Sequence, residues 1–155
     1  MDFPGYLIKI RFEKQSVHYK NYRLNKELFK FRKMHSTSHK IVIPCAQSFE
    51  LIVMADILRC EGLQNSTKVF LVNGEVLISS CNIGVYRKGL ERYGFFTCHK
   101  SHLVNTQFIT RYLKDGHLEI EDGTLLPLAR RKKEEFFDHV LKEFDLVNCI
   151  GKNGK

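Results

Sequence analysis

The sequence has no tryptophan, only three prolines in 155 residues, and no apolar run as long as a membrane span. A transmembrane helix needs about 20 consecutive apolar residues, so the sequence predicts no span. The N-terminus also lacks an apolar segment followed by a small-residue cleavage site, and we therefore expect no secretory signal peptide. These absences predict a cytoplasmic protein without contact to a membrane.

Cysteine is present, but not in the spacings that metal and redox sites use. The five cysteines, at positions 45, 60, 81, 98 and 149, include no Cys-x-x-Cys pair, which disfavours a zinc ribbon or a thioredoxin-like site. Cys98, His99 and His102 lie close together in sequence, but three ligands without a second pair elsewhere are a weak signal for a metal. The sequence predicts free thiols in a reducing compartment, no metal and no cofactor.

The motifs of the common enzyme classes are missing as well. The chain contains neither a Gly-x-x-x-x-Gly-Lys-Ser/Thr loop nor a Gly-x-Gly-x-x-Gly loop, and neither His-Glu-x-x-His nor Gly-x-Ser-x-Gly. Cys98 and His99 suggest a nucleophile and its base, but neighbouring residues of an extended segment point to opposite sides and form a poor dyad. We therefore predict that the protein is not an enzyme.

Positive charge is in excess, but it is unevenly distributed. The formal net charge is +8, and residues 1–40 hold ten Lys and Arg against three Asp and Glu. Residues 41–155 hold fifteen against fourteen and are nearly neutral. In this second part, affinity for nucleic acid has to come from local clusters. Residues 130–133, Arg-Arg-Lys-Lys, are one such cluster, although a run of this kind is often only a solvated helix face.

Residues 1–40 combine basic with aromatic side chains and end in a polar stretch, 36–40, that is typical of a linker. Such a composition can bind single-stranded nucleic acid through charge and stacking, whereas an extension that packs on the following domain is the commoner explanation. We predict an N-terminal extension and linker over 1–40, a folded domain over 41–146 and a C-terminal tail over 147–155.

From residue 41 onward, short β-rich runs alternate with turn signals. Helices are predicted over 82–93, with Asn82 as the N-cap and Gly94 as the stop, and over 131–144. Many short strands with two short helices, and no regular strand–helix alternation, predict a mainly β fold rather than a doubly wound α/β fold. Three pairs typical of tight turns separate the β-rich runs: Asn73-Gly74, Asp115-Gly116 and Asp122-Gly123.

The most informative segment is residues 95–105, Phe-Phe-Thr-Cys-His-Lys-Ser-His-Leu-Val-Asn. An aromatic pair at its start and the apolar pair Leu103-Val104 near its end enclose polar and cationic side chains. This order predicts a segment that is anchored in the core at both ends and exposed in its middle. The exposed middle would present side chains of the kind that meet phosphates and base edges, namely Thr97, Cys98, His99, Lys100 and Ser101.

This first motif resembles the signature of the LytTR family of bacterial DNA-binding domains, roughly Phe, x, Arg, x, His, Arg/Asn/Lys, Ser, aromatic, Leu/Val, Val, Asn. A second motif follows at the family's distance, because residues 122–131 read Asp-Gly-Thr-Leu-Leu-Pro-Leu-Ala-Arg-Arg, where the family has Asp-Gly and then Leu-Pro-Val-Ser-Arg. The resemblance covers about residues 41–144 and implies an elongated domain of several β-strands with two short helices. Residues 1–40 have no counterpart in it.

The resemblance implies sequence-specific binding of double-stranded DNA through loops that enter the major groove. An arginine can bind guanine O6 and N7 with two nitrogens, whereas a cation on a phosphate adds affinity and salt dependence. Asn105, after two apolar residues, is predicted to bind the backbone and shape the loop. Carried over position by position, the implied DNA contacts are Thr97, His99, Lys100 and Ser101 in the first motif and Arg130 after the Leu-Pro-Leu-Ala stretch of the second. A third patch would be the loop at residues 65–68, and Lys68, Arg131 and Lys132 would then contact phosphates.

Three positions depart from the family pattern. Thr97 replaces a frequent arginine, His102 stands where an aromatic residue is usual, and Ala129 replaces a serine that could cap the last helix, at a loss of about 1 kcal/mol. Cys98 is a redox candidate, because a thiol whose pKa is lowered by Lys100 could be oxidised and then block binding.

We predict a transcriptional regulator that binds promoter DNA and lacks its own receiver domain, because the sequence leaves no room for about 120 residues of alternating strands and helices. The family often binds paired direct repeats, so the resemblance also implies a homodimer on DNA. Two alternatives stay open: a protein-interaction module, and a non-specific RNA or single-strand binder that uses residues 1–40. Without the resemblance, a structural histidine at position 99 and a turn-forming serine at position 101 would be the simpler interpretation.

Overall fold

The structure is a computed structural model that describes residues 39–143. The predicted extension, except for its last two residues, and the predicted tail lie outside the described residues. Within residues 39–143 the chain is mainly β with two short α-helices, which confirms the predicted fold class. No helix in this range is long and apolar enough to cross a membrane.

Ten strands are present in the described range. In chain order they are β1 Lys40–Pro44, β2 Phe49–Val53, β3 Ile57–Gly62, β4 Thr67–Leu71, β5 Val76–Ser79, β6 Phe95–His99, β7 His102–Asn105, β8 Ile109–Leu113, β9 His117–Ile120 and β10 Leu125–Pro127. The α-helices are α1 Ile83–Leu90 and α2 Lys133–Glu143. Single turns of 3-10 helix span Met54–Asp56, Glu91–Tyr93, Thr106–Phe108 and Arg130–Lys132.

The strands form three antiparallel sheets. The largest has the order β5-β4-β3-β7-β6, a smaller one has the order β10-β9-β8, and β1 pairs only with β2. The turns after β4 and β8 contain Gly74 and Gly116, whose φ angles are 86° and 92°. These left-handed conformations favour glycine, which explains why the Asn-Gly and Asp-Gly pairs marked the turns in the sequence.

The five-stranded sheet separates two hydrophobic cores, because successive side chains of a strand point to opposite faces. On one face Cys60, Val69 and Leu103 pack with Tyr86 and Leu90 of α1. Ile43 of β1 joins the same core, so the β1–β2 pair also packs on this side.

The second core lies on the other face, at β6 and β7. There Phe96 and Val104 pack with Leu118 and Leu126 of the three-stranded sheet and with Phe136 of α2. The rings of Phe96 and Phe136 meet edge to face, with their centroids 5.5 Å apart. The strands β6 and β7 are therefore covered on both faces.

Helix α1 begins and ends where local signals predict. The Asn82 side chain accepts a hydrogen bond from the Gly84 N–H at 2.9 Å and caps the first turn. Tyr86 and Leu90, one helical turn apart, are buried against the sheet. The 3-10 turn that continues the helix stops at Gly94, whose φ is 86°. The predicted helix is thus one α-helix followed by one turn of 3-10 helix.

Candidate nucleic-acid interface

The first motif forms the hairpin of β6 and β7. Phe95 packs in the core beneath α1 and Phe96 in the core beneath α2, so the aromatic pair is shared between the two faces of the sheet. Leu103 and Val104 are fully buried on the same two faces. The predicted anchoring of the segment at both ends is confirmed, because two adjacent apolar residues in a strand can fill two cores at once.

The connection between β6 and β7 is a tight turn at Lys100 and Ser101. Lys100 is exposed, while His99 and Ser101 are half-buried. The Ser101 N–H donates to His99 Nδ1 at 3.3 Å, and the Ser101 carbonyl accepts from the Gly62 N–H at 2.8 Å. The turn is therefore held by its own residues and by the end of β3.

The other two polar residues of the motif are not exposed. Thr97 has only 8% of its surface exposed, and its hydroxyl donates to Glu91 Oε1 at 2.6 Å. Cys98 is fully buried, because β6 directs it to the same core as Phe96. The expectation that both residues belong to an exposed middle is wrong.

The lowered pKa expected for Cys98 is wrong as well. Burial raises the pKa of this thiol to about 12, since desolvation disfavours the thiolate. The sulfur donates weakly to the His102 carbonyl at 3.6 Å. A buried thiol of this kind is inert rather than reactive, so the physical basis for Cys98 as a redox switch is removed.

The second motif reaches the outer edge of β6 at Ala129. Leu126 and Leu128 are buried in the core that contains α2, and the Ala129 N–H donates to the Cys98 carbonyl at 2.8 Å. The 3-10 turn Arg130–Lys132 follows directly, and no side chain caps it at Ala129. A main-chain hydrogen bond therefore joins the two motifs that are separated in sequence.

The two motifs meet at a surface cavity of about 200 Å³. We call it the interface cavity. Four of its residues are Lys or Arg, and one, Glu91, is acidic. The Glu91 carboxylate accepts a hydrogen bond from the Thr97 hydroxyl. A concave and mainly cationic surface suits a phosphate group. The lining residues are Arg87, Glu91, Thr97, His99, Lys100, Ala129, Arg131 and Lys132.

Most, but not all, of the predicted DNA-contacting residues line the interface cavity. Arg130 is exposed next to it but is not part of the lining. Lys132 is half-buried, and its Nζ donates to Glu135 Oε2 at 2.7 Å. Ser101 belongs to the same turn as Lys100 but is not part of the lining. The contacts of these residues with DNA stay predictions.

Lys68 lies farther away on the same face of the sheet. It pairs with Glu61, which pairs with His102, which pairs with His99, and directly paired residues share one face. Three strand spacings of about 4.8 Å place Lys68 roughly 14 Å from His99. Between them, the Arg59 guanidinium donates to the Glu61 carboxylate at 3.0 Å and lowers its pKa.

His102 is the most constrained polar residue of this row. Its burial lowers the pKa of the imidazole, and Glu61 opposes this effect. Its Nδ1 is buried and has no hydrogen-bond partner among the described residues. The rings of His102 and His99 lie 5.8 Å apart. His102 thus occupies a site that favours a neutral ring, which is in keeping with the aromatic residue usual at this position.

Asn105 has the structural role that its position predicts. It is only 5% exposed, its Nδ2 donates to the Ile57 carbonyl at 3.0 Å, and its Oδ1 accepts from the Gln107 N–H at 3.2 Å. The side chain therefore joins the end of β7 to β3 and caps the 3-10 turn that follows.

Arg87 and Glu91 are the residues of the interface cavity that the sequence analysis missed. They are one helical turn apart, at the end of α1 and the start of the next 3-10 turn. Their four-residue spacing ahead of the first motif was the available signal, since it places two side chains on one side of the helix.

The described part of the chain contains no group of side chains suited to bind a metal ion. Among residues 39–143, no three His, Cys, Asp or Glu side chains lie close enough to hold a metal ion. The cysteines in this range, Cys45, Cys60, Cys81 and Cys98, are free thiols.

Comparisons with known proteins identify the family and the fold. Residues 47–140 match the family model of the LytTr DNA-binding domain. The solved structure of a LytTr DNA-binding domain from Bacillus cereus has the same fold, with a TM-score of 0.57 at 16% sequence identity, and the match covers 68% of this chain and 98% of that one. No curated protein has a matching sequence.

Proposed function

Because the chain belongs to the LytTr DNA-binding domain family, we propose that it binds double-stranded DNA at specific sequences and regulates transcription. The observation that carries the proposal is the convergence of the two motifs at the interface cavity, where His99 and Lys100 meet Arg131 and Lys132. A cationic surface formed by two separate segments can contact a groove and the phosphates beside it at the same time.

The side chains differ in the contacts they can make. Arg130 and His99 are the candidates for base edges, since an exposed guanidinium can bind guanine O6 and N7 together. Lys100, Ser101 and Arg131 can donate to phosphate oxygens and so set the register of the protein on the duplex. Thr97 is engaged by Glu91, and we assign it the role of shaping the cavity.

The row that ends at Lys68 suits the flank of the same site. The roughly 14 Å between Lys68 and His99, three strand spacings, is comparable to the width of the major groove, about 12 Å. The turn at Lys100 and Ser101 can therefore enter the groove while Lys68 meets a phosphate beside it. Lys132 remains available as a phosphate contact if its bond to Glu135 opens.

Selection of duplex DNA from a random pool tests the proposal. The purified protein and an Arg130→Ala/His99→Ala double variant are compared at one salt concentration. An Arg92→Ala/His117→Ala double variant is the matched control, because Arg92 is exposed and His117 is half-buried, and both lie outside the cavity. We expect one enriched motif for the protein and the control, and none for the Arg130/His99 variant.

Equal recovery by all three proteins, or no enriched motif at all, would contradict sequence-specific binding. A parallel pool of single-stranded RNA and DNA tests the alternative of non-specific binding. If the enriched motif consists of two direct repeats, sedimentation of the complex then shows whether two copies of the chain are bound, as we propose for a homodimer on DNA.

A further inference from the structure

Arg87 reaches the interface cavity although it belongs to neither motif. Its Nη2 donates to the main-chain carbonyl of Lys100, so one helix residue holds the turn of the β6–β7 hairpin. Its Nε–H is buried and has no hydrogen-bond partner among the described residues. A buried donor without an acceptor costs free energy. Other atoms of the Arg87 side chain line the interface cavity.

The charges around Arg87 in the cavity favour an anion. Lys100 and Arg131 line the same cavity as Arg87, and neither has a carboxylate partner among the ion pairs of the described residues. Glu91 is the opposing charge in the lining, and it already accepts the Thr97 hydroxyl at 2.6 Å. The cations of the cavity therefore exceed its anions before any ligand is bound.

We propose that the interface cavity seats one phosphate of the DNA backbone and that Arg87 is a main donor to it. This inference rests on the proposed function and adds a contact that neither motif contains. Arginine has five N–H donors in a planar fork, which can bind a phosphate with two of them. The Nη2 branch of the Arg87 fork holds the Lys100 carbonyl, which leaves the Nη1 branch to donate to the phosphate.

The arrangement has a consequence for specificity. The same guanidinium would hold a phosphate and the turn beside His99 and Ser101. Contacts to phosphates set the register in which other side chains meet the bases. Arg87 would therefore couple the position of the backbone to the position of the base-contacting side chains.

A thermodynamic cycle between Arg87 and single phosphates tests the proposal. In the selected duplex, each phosphate is replaced in turn by a neutral methylphosphonate, and Kd is measured for the protein and for Arg87→Gln. Glutamine removes the charge and the donors of the guanidinium, and the comparison phosphate by phosphate separates the lost contact from any change in the turn, which would affect all phosphates alike. We expect that neutralisation of one phosphate raises the Kd of the protein about tenfold and leaves the Kd of Arg87→Gln nearly unchanged.

Salt dependence gives an independent measurement. Loss of one phosphate contact lowers the slope of log affinity against log salt by about 0.9, and we expect this decrease for Arg87→Gln and for Arg87→Ala. Lys88→Ala is the matched control, because Lys88 is exposed on the same helix and is not part of the cavity. Its slope should stay within a few tenths of the original value.

The outcomes separate this inference from the proposed function. Specific binding with fully additive effects of Arg87→Gln and every methylphosphonate would overturn the inference alone, and absence of specific binding would overturn both. Thermal unfolding with inorganic phosphate at constant ionic strength tests a free anion as the ligand. Stabilisation by phosphate that Arg87→Gln abolishes, without coupling to any DNA phosphate, would overturn the assignment to DNA.

Discussion

The two motifs that meet at the interface cavity are held in place by different means. The first motif occupies β6 and β7, and β7 also pairs with β3 inside the five-stranded sheet. Its two apolar pairs fill both cores. The second motif occupies β10, a three-residue strand at the edge of the small sheet. It is anchored in one core by Leu126 and Leu128, and to β6 by the Ala129 N–H.

This difference shows which part of the interface depends on few contacts. Strand pairing and two cores determine the position of the first motif, so its turn residues can change without loss of the scaffold. The position of the second motif depends on a small number of buried side chains. Because the cavity needs both segments, we expect its shape to be more sensitive to the anchors of the second motif.

The largest effect is expected for the reactivity of the Cys98 thiol. Cys98 is the residue of the first motif whose carbonyl accepts the Ala129 N–H of the second. Burial raises its pKa from the ordinary value of 9.0 to about 12, so the thiolate is about a thousandfold less abundant near neutral pH. Alkylation of the native protein, followed by mass spectrometry, should modify Cys98 roughly a thousandfold more slowly than in the unfolded chain.

Cys60 and Cys81 provide the internal controls for this experiment. Cys60 is buried in the other core and its pKa is also raised to about 12, so it should be equally slow. Cys81 is only half-buried and should react before both Cys98 and Cys60. Equal rates for Cys98 in the native and unfolded protein would show that β6 does not direct this residue inward.

Leu126→Ala breaks the anchor of the second motif. Leu126 is 1% exposed, and truncation of a buried leucine costs about 3 kcal/mol through lost contacts and the cavity left behind. Urea denaturation should show this loss in the free energy of unfolding, and the selected duplex should bind more weakly under conditions where the variant is folded.

Leu125→Ala is the matched control at the neighbouring position. Leu125 is 51% exposed, and we expect a change of no more than about 0.5 kcal/mol. If the two variants lose similar free energies of unfolding, Leu126 is not buried more deeply than Leu125, and the proposed anchor of the second motif is wrong.

Asn105→Ala tests the corresponding anchor of the first motif. The substitution removes the hydrogen bonds to the Ile57 carbonyl and the Gln107 N–H and leaves buried polar groups unpaired, at a cost of about 2 kcal/mol. The measurement is again urea denaturation, with the exposed Gln107→Ala as the control. We expect the sequence preference on DNA to be unchanged, and a changed motif would assign Asn105 a role in recognition.

His102→Phe is expected to have the smallest effect and a specific pH dependence. The native pKa of His102 lies below the ordinary value of 6.5 because of burial. As the pH falls below about 6.5, the unfolded chain binds a proton before the native protein does, so the stability of the native protein decreases. Below the native pKa this group causes no further loss.

Phenylalanine should remove this contribution to the pH dependence and also the unpaired Nδ1, with a gain of about 1 kcal/mol. Urea denaturation between pH 5 and 8 measures both effects. His117→Phe is the control, because His117 is half-buried and next to Asp115 rather than in the row of His99. If the free energy of unfolding depends on pH in the same way for the protein and for His102→Phe, His102 is not buried as a neutral ring.

Local signals in the sequence predicted the elements well because they act between near neighbours. Asn82 caps the helix that it precedes through a bond to Gly84, and Gly94 ends the following turn in a left-handed conformation. The turn glycines act in the same way. Each of these interactions spans a few residues, and its outcome depends little on the rest of the molecule.

The environment of the site residues could not be predicted in the same way. The order of apolar and polar residues in β6 does not say which faces of the strand are covered. The expectation that Thr97 and Cys98 are exposed was wrong because both faces are covered. The second core beneath α2, which buries Cys98, forms from segments far along the chain. Arg87 contacts the Lys100 carbonyl only because α1 packs on the sheet beside the turn.

The sequence by itself determined the fold class, the family and the two motifs, because hydrophobic patterning, turn residues and short motifs are properties of neighbouring positions. The tertiary structure decided that the motifs share one cavity, that Arg87 and Glu91 belong to it, and that Cys98 does not. Burial and electrostatic environment depend on which distant segments pack together, and a linear pattern does not contain that information.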